Sequence, residues 1–553
     1  MNAAWLLVGA ITWFALGYLL YGRRLARAYG VDPERTTPAH ELSDGVDYVP
    51  ARNWMVLFGH HFSSICGAGP IVGPALAVAY WGWAPSIIWV FIGAVLMGAV
   101  ADFTSLFVSV RSDGNTISDI ARPEISPRAR LLFSWFIWVA LVLVVAVFAI
   151  FAARTFIEEP DTVIPSLALI PVALLTGHLM YKTEASSAVA TLIGVGLLLA
   201  ALFLGTKIPV EIPAMLGMST ETIWIVLLLG YCFVASITPV QVLLQPRDYL
   251  ASFLLFGAIG IGVVSIMITA PAMQTAAFTA FDPEDYPAAG PLWPMLFVTI
   301  ACGAISGFHS LVSSGTTCKQ IDSEAHACRV GYGGMILEGM VGVLVIICVG
   351  SGIPTVELRQ VLSPDGGGPI NAFGIGYGRI TAPILGNYGQ AFAVMALNAF
   401  ILTSLDTGTR IGRYMTADLL GTSNMYLSTA IVAGCGCALA LTGQWTVLWP
   451  AFGTSNQLIA ALALLVGSCW MMRRGRSFLY TFIPASIMLA TTLAAFLFQL
   501  HGALTRLDPA TGEAAPDWFL AGLVAVLIVL AGVVFWEGVS VLLRGRDDQL
   551  QGT

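Results

Sequence analysis

The sequence predicts an all-α polytopic membrane protein with about fifteen transmembrane helices. Three observations carry this. Hydrophobic residues make up 57% of the 553 positions and charged residues only 10%, against roughly 25% charged in soluble domains, so a water-facing surface could not be covered. Long apolar stretches recur without strict alternation, which favours helices over a membrane β-barrel. The 57 glycines suit the close packing of membrane helices.

A helix needs about 20 apolar residues to cross a bilayer. On that basis spans are expected near 3–22, 54–80, 84–110, 131–152, 163–181, 186–205, 220–244, 250–271, 291–314, 330–352, 383–405, 424–441, 446–468, 478–500 and 517–543. The first has no basic segment before it and no small-residue cleavage site after it, and Arg23 and Arg24 follow it. It therefore reads as a retained helix with its N-terminus outside, not as a signal peptide. With that orientation only Arg154, Lys207, Arg359, Arg379 and Arg506 of the 25 Lys and Arg residues fall outside. This positive-inside bias supports an odd number of crossings, a cytoplasmic C-terminus and a place in the cell (inner) membrane.

No loop is long enough for a soluble enzyme domain. The net charge of −7 comes with no basic run, so nucleic acid is not an expected partner. The nine cysteines show no metal-type spacing and sit in or beside apolar runs. They read as reduced packing residues, Cys435-Gly436-Cys437 included. Residues 353–382, rich in Gly and Pro, form the longest outer segment and could hold a re-entrant turn.

Three polar interruptions stand out, because backbone leaves helical geometry at membrane depth only where protein or water satisfies it. The first is Phe58 to Pro74, with His60, His61, Ser63, Ser64, Cys66, Gly67, Ala68, Gly69 and Pro70. It reads as a discontinuous helix whose free amides near Gly69-Pro70 could meet a substrate carboxylate. A Pro-kinked, Gly-packed helix without ligand is the alternative. The second, Tyr231 to Gln241, holds Ser236, Thr238 and Pro239. Its separation from the first and its opposed direction are those of a five-plus-five inverted repeat, with a simple Pro kink as the rival. The third runs from Gly303 to Thr317. There Ser313, Ser314 and Thr317 are hard oxygen donors of the kind that hold sodium in the corresponding helix of the leucine-transporter fold. Hydroxyl bonding between helices would also explain them.

Ionisable groups inside spans are costly and usually functional or paired. Glu338 lies well inside its helix and is the preferred proton carrier, with His60 or His61. Asp102 and Asp406 are expected to reach interfacial water, and Asn456 and Gln457 to act as helix glue. Adjacent histidines point to different helix faces, so His60 and His61 cannot share one role.

Four segments carry a resemblance: Gly59 to Val78, Asp102 to Arg122, Tyr231 to Ala251 and His309 to Asp322. In these the chain resembles the carbon starvation protein A family over roughly residues 50 to 460. The resemblance implies uptake of peptides, or in some members pyruvate, driven by protons. It also implies a core like that of the amino acid–polyamine–organocation superfamily. Ser63-Ser64-Ile65-Cys66 is more polar than the family's run there, and Cys318 replaces an expected Pro or small residue.

The expected organisation is an accessory helix and cytoplasmic segment (1–53), a ten-helix transport core (54–405) and four accessory helices with a tail (406–553). The expected function is a proton-coupled symporter for peptides or small carboxylates. Ser64, Cys66, Gly67, Ala68, Gly69, Ser236 and Thr238 would line its substrate site. No cofactor is expected; Na+ coupling or a structural metal ion stays open. A membrane nutrient sensor is the first rival, although no signalling domain is visible. An intramembrane metal enzyme is the second, although no HExxH-type motif is present.

Overall fold

Proline and glycine set the boundaries of the helices in the computed structural model. It describes all residues except 183–185, 216, 364–365, 443–444, 507–513 and 552–553. Side chains at 181, 187, 445–447 and 545–551, that of Arg546 included, are likewise outside the description.

The chain begins with α1 (Ala3–Tyr29). Asn53 then caps α2 (Trp54–Ile65), accepting from the N–H groups of Met55 and Val56. Pro70 has no N–H to offer the Cys66 carbonyl, and its ring would crowd that carbonyl. The helix therefore stops at Ile65 and resumes as α3 (Gly69–Tyr80), bent by 45°. Next come α4 (Trp83–Val110), α5 (Pro127–Glu158), α6 (Val163–Lys182), α7 (Ser187–Gly205), α8 (Thr220–Ile237) and α9 (Leu244–Thr269). A second interrupted crossing follows, α10 (Leu292–Thr299) and α11 (Gly307–Gly315), then α12 (Gly333–Gly352). The chain ends with α13 (Gly368–Leu385), α14 (Gly389–Leu420), α15 (Met425–Ala440), α16 (Trp445–Arg473), α17 (Leu479–Leu504) and α18 (Trp518–Gln551).

Twelve stretches among the described residues are long and apolar enough to span a membrane, thirteen with the bent α2–α3 pair. Fifteen was too many by this measure for physical reasons. The 291–314 stretch is split by non-helical residues 300–306, and 424–441 folds into only 16 helical residues. The 383–405 stretch begins in the last turn of α13 and ends inside the continuous 32-residue helix α14, so the boundary at 405 cuts through the middle of α14. The outer segment 353–382 carries α13, which packs across α3, α9, α12 and α14. Its Arg379 donates to the Gly352 carbonyl and pairs with Glu357 at 2.6 Å.

The two interrupted crossings run antiparallel and touch along their length. At one end Trp81 Nε1 donates to the Gly290 carbonyl, and at the other Ala51 N–H donates to the Gln320 carbonyl. Between them a Cβ on Gly69 would collide with the Cys302 side chain, and one on Gly73 with the Thr299 carbonyl oxygen. Helix α9 lies against α2, α14 against α5, α11 against α4 and α12 against α3. Helices α6 and α7 form a hairpin at the side.

Ion pairs keep the two ends of the bundle apart. Arg154, Arg359, Arg379 and Arg506 pair with Glu221, Asp285, Glu357 and Asp517, all in or next to outer-expected segments. Arg111, Arg410 and Arg474 pair with Glu324, Asp47 and Glu124 at the opposite end.

Candidate functional site

The break at Cys66–Ala68 is sealed from one side by α14. Ser404 Oγ donates to the Ser64 carbonyl at 2.8 Å, and Ser64 Oγ lies 3.3 Å from Thr407 Oγ1. A Cβ on Gly67 would stand 2.7 Å from Ser404 Oγ. From the other side comes the second break. Asn456 of α16 caps α11 by accepting from Phe308 N–H at 2.7 Å, and its amide also reaches Ser306 Oγ and Cys302 Sγ. The residue expected to be helix glue therefore supports the interruption itself.

Beside these breaks sits an acid–histidine–acid cluster. His309 Nδ1 lies 3.1 Å from Asp102 Oδ2, and Nε2 lies 3.0 Å from Glu338 Oε2. The first contact is a hydrogen bond; the second is close without hydrogen-bond alignment, and both Glu338 oxygens lack a hydrogen-bond partner. All three residues are fully buried, on α11, α4 and α12. Asp102 does not reach interfacial water, because its carboxylate is held by the histidine. Donor atoms of Cys302, His309 and Glu338 converge within 4.8 Å of one another, a geometry that could hold a metal ion. His309 falls in the third interruption of the sequence but was not chosen there as a proton carrier. Its position in a Gly/Ser-rich interruption, like Asp102 inside a span, was the available signal.

The adjacent histidines of α2 do diverge. His61 Nδ1 lies 2.9 Å from Thr317 Oγ1, and its Nε2 has no partner. A Cβ on Gly334, one turn before Glu338, would touch the His61 ring, so His61 borders the acid–histidine cluster. His60 belongs to a second network: Nδ1 is 2.6 Å from Asp248 Oδ2, and Nε2 is 3.0 Å from Gln320 Nε2.

That second network centres on Arg247, which was expected in a cytoplasmic loop but lies buried in α9. It donates to Asp248 Oδ1 at 2.6 Å, to Tyr231 Oη at 2.6 Å and to both oxygens of Asp406, one of them at 3.0 Å. Tyr231 also donates to Asp406. Asp406 is fully buried, not water-facing. One guanidinium is balanced by two carboxylates, which is what makes its burial tolerable. The network ties α2, α8, α9 and α14 together.

The remaining expected residues are placed elsewhere. Helix α8 ends at Ile237, with Thr238 extended, as the residue before a proline prefers. Pro239 thus terminates a helix and does not interrupt a crossing. Thr238 Oγ1 turns back to the Val234 carbonyl, and its own carbonyl accepts from Arg410. The Ser236 hydroxyl is buried without a partner. The interrupted segment packed along the first broken crossing is α10–α11. Ser313, Ser314 and Thr317 do not share one hydrogen-bonding target. Ser314 donates to the Ser310 carbonyl and accepts from Ile117 N–H, Thr317 meets His61, and the Ser313 hydroxyl is unpaired.

At the basic end, Asp47 accepts from Arg410 at 2.8 Å, Arg413 at 3.0 Å and Tyr414 at 2.7 Å. Burial works to raise its carboxyl, but the two arginines outweigh it and hold Asp47 below the usual carboxylate range.

Paired interrupted helices and buried, charge-balanced polar clusters in a helical membrane bundle define a secondary transporter. The chain belongs to the carbon starvation protein CstA family, whose family model matches residues 2–361 and 353–495. It is 35% identical to the peptide transporter CstA of Helicobacter pylori (strain J99), over 89% of this chain and 81% of that one. It is 32% identical to the peptide transporter CstA of Bacillus subtilis, over 97% and 96%. It is also 31% identical to the pyruvate/proton symporter BtsT of Escherichia coli, over 92% and 83%. A crystal structure of the Eremococcus coleocola manganese transporter shares the fold, with a TM-score of 0.54 at 13% identity, over 90% of this chain and 99% of that one. Membership in a transporter family speaks against catalysis.

Proposed function

We propose that the chain is a proton-coupled symporter that imports peptides or small carboxylates such as pyruvate, with its N-terminus outside and its C-terminus cytoplasmic. The observation that carries this reading is His309, held between Asp102 and Glu338 against the paired breaks. Ionisable groups so deep in a membrane bundle mark relay sites, and the two acids can pass one proton through the imidazole. Peptide and pyruvate/proton transport by the relatives above supports the substrate class. The substrate would meet Ser64, Cys66, Gly67, Ala68 and Gly69 at the break, and His61 would take part in the relay. His60 would sit in the neighbouring charge network.

The antiparallel breaks support a leucine-transporter-like five-plus-five core with revised limits. One half would be α2–α3, α4, α5, α8 and α9, and the other α10–α11, α12, α14, α15 and α16, with the α6–α7 hairpin and α13 inserted. The core would then run from residue 54 to 473, leaving α1, α17 and α18 accessory.

Uptake into proteoliposomes under an imposed pH gradient tests the reading. Glu338→Gln should abolish gradient-driven accumulation of dipeptide or pyruvate while preserving exchange at equal concentrations. Accumulation by Glu338→Gln equal to the parent's would refute the proton role. The convergence of Cys302, His309 and Glu338 favours a second reading, a zinc-type site with Asp102 orienting the histidine. One equivalent of metal in purified protein, lost in Cys302→Ser, would replace the proton reading with that one.

A further inference from the structure

A cleft of about 700 Å³ opens between α1, α2, α9 and α12, within the roughly 300–1,000 Å³ of ordinary ligand sites. Its walls are almost entirely apolar and aromatic, with Phe14, Phe58, Phe256 and Met340 among them. The Phe58 and Phe256 rings stack along one side, backed by the buried Phe62 ring. Its polar end differs in kind: there Arg329 lies over the Trp54 ring, 5.6 Å from its centre.

Arg329 is not alone. Arg23, Arg24 and Arg27 follow on α1, a helix with no carboxylate in its sequence. Cys328 Sγ donates to the Gly22 carbonyl, so Arg329 and Arg23, the next residue on each segment, stand at the same end of the cleft. Nearby carboxylates are engaged elsewhere: Asp322 with His326, and Glu324 with Arg35 and Arg111. Among the described residues, none of these four arginines has a carboxylate within ion-pair distance. Leu16, Leu19 and Leu20 of α1 are exposed, so the helix flanking the cleft faces lipid.

An apolar slot with uncompensated guanidinium groups at one end has the shape and polarity of an amphiphile with an anionic head. We infer that this cleft holds an anionic phospholipid of the leaflet at the basic end. Its acyl chain lies against Phe14, Phe58, Phe256 and Met340, and its phosphate lies on Arg329 and Arg23. Guanidinium groups bind phosphate bidentately, and basic pockets between membrane helices select anionic headgroups. Helix α2 forms one wall of the cleft while its other face carries the buried histidines, so the lipid abuts the inner half of the broken crossing.

Native mass spectrometry of the full chain, released from nanodiscs of equal phosphatidylglycerol and phosphatidylethanolamine with matched chains, tests this. One phosphatidylglycerol should be retained per protein. Arg23→Gln with Arg329→Gln should lower its retention about thirtyfold, from two basic contacts of ~1 kcal/mol each. Ile336→Trp, filling the cleft with both arginines intact, should expel it, while Arg359→Gln at the opposite end should change nothing. Equal retention of both lipids, retention insensitive to the arginine pair, or displacement by millimolar inorganic phosphate would overturn the inference. The measurement uses no substrate and no gradient, so it stands apart from the transport reading.

Discussion

Replacing Arg247 by Met should be among the most damaging single changes in the protein. The guanidinium serves Asp248, Asp406 and Tyr231, all within the bundle. Without it two carboxylates remain with only His60 to balance them. Removing one partner of a buried pair costs about 3–5 kcal/mol, chiefly because the other charge is left uncompensated. In Arg247→Met/Asp406→Asn the excess charge is gone, and the Asp248–His60 contact at 2.6 Å can persist. The double variant should therefore recover about 2 kcal/mol or more of the loss. Thermal unfolding of the purified parent, both singles and the double in one detergent gives the cycle. A coupling below about 0.5 kcal/mol, the value for independent sites, would refute the network as a unit. Arg247→Lys should not rescue, since an ammonium cannot reproduce the forked donors.

Other expectations follow from the same geometry. Gly73→Ala pushes a methyl at the Thr299 carbonyl oxygen and should destabilise by about 1–3 kcal/mol, whereas Gly9→Ala meets nothing within 4 Å and should be neutral in the same melt. Asp47 has its carboxyl lowered in the fold, so its contribution is present above the unfolded value near 3.9 and lost as pH falls through the folded one. Asp47→Asn should therefore flatten the fall in melting temperature between pH 5 and 3, and an unchanged profile would contradict the assignment. Cys302, packed between Gly69 and Asn456, should react with a maleimide only during turnover, and rapid labelling of the resting protein would show that the breaks are not closed.

The first break was legible because Gly67, Gly69 and Pro70 act locally: a missing N–H and a missing Cβ have their effect wherever they stand. The second was harder. Gly303, Ser306 and Gly307 marked a polar interruption, but residues 300–306 contain no proline, and the break is held by Asn456, about 150 positions along the chain, so the local signal did not show that the helix stops there. Pro239 gave a stronger local signal and misled, because a proline that ends a helix and one that splits a crossing look alike in sequence. Asp102 and Arg247 show the same limit. Distance from the ends of an apolar run was used to judge their exposure, whereas pairing partners far along the chain, His309 and Asp406, decided it. His60 and His61 were separable beforehand because helical geometry alone sends neighbours to different faces.

The glycine contacts between the two interrupted crossings have a mechanical meaning. At Gly69 and Gly73 no side chain of α3 stands between its backbone and the 299–302 chain. Two segments pressed together with only the short Cys302 side chain between them have few rotamers with which to absorb a displacement. A shift of α3 is handed directly to α10, and the pair behaves as one stiff piece. The compliance of the bundle is left to the other halves, where His61 of α2 meets Thr317 and His60 meets Gln320 just past the end of α11: polar links that can be exchanged one at a time.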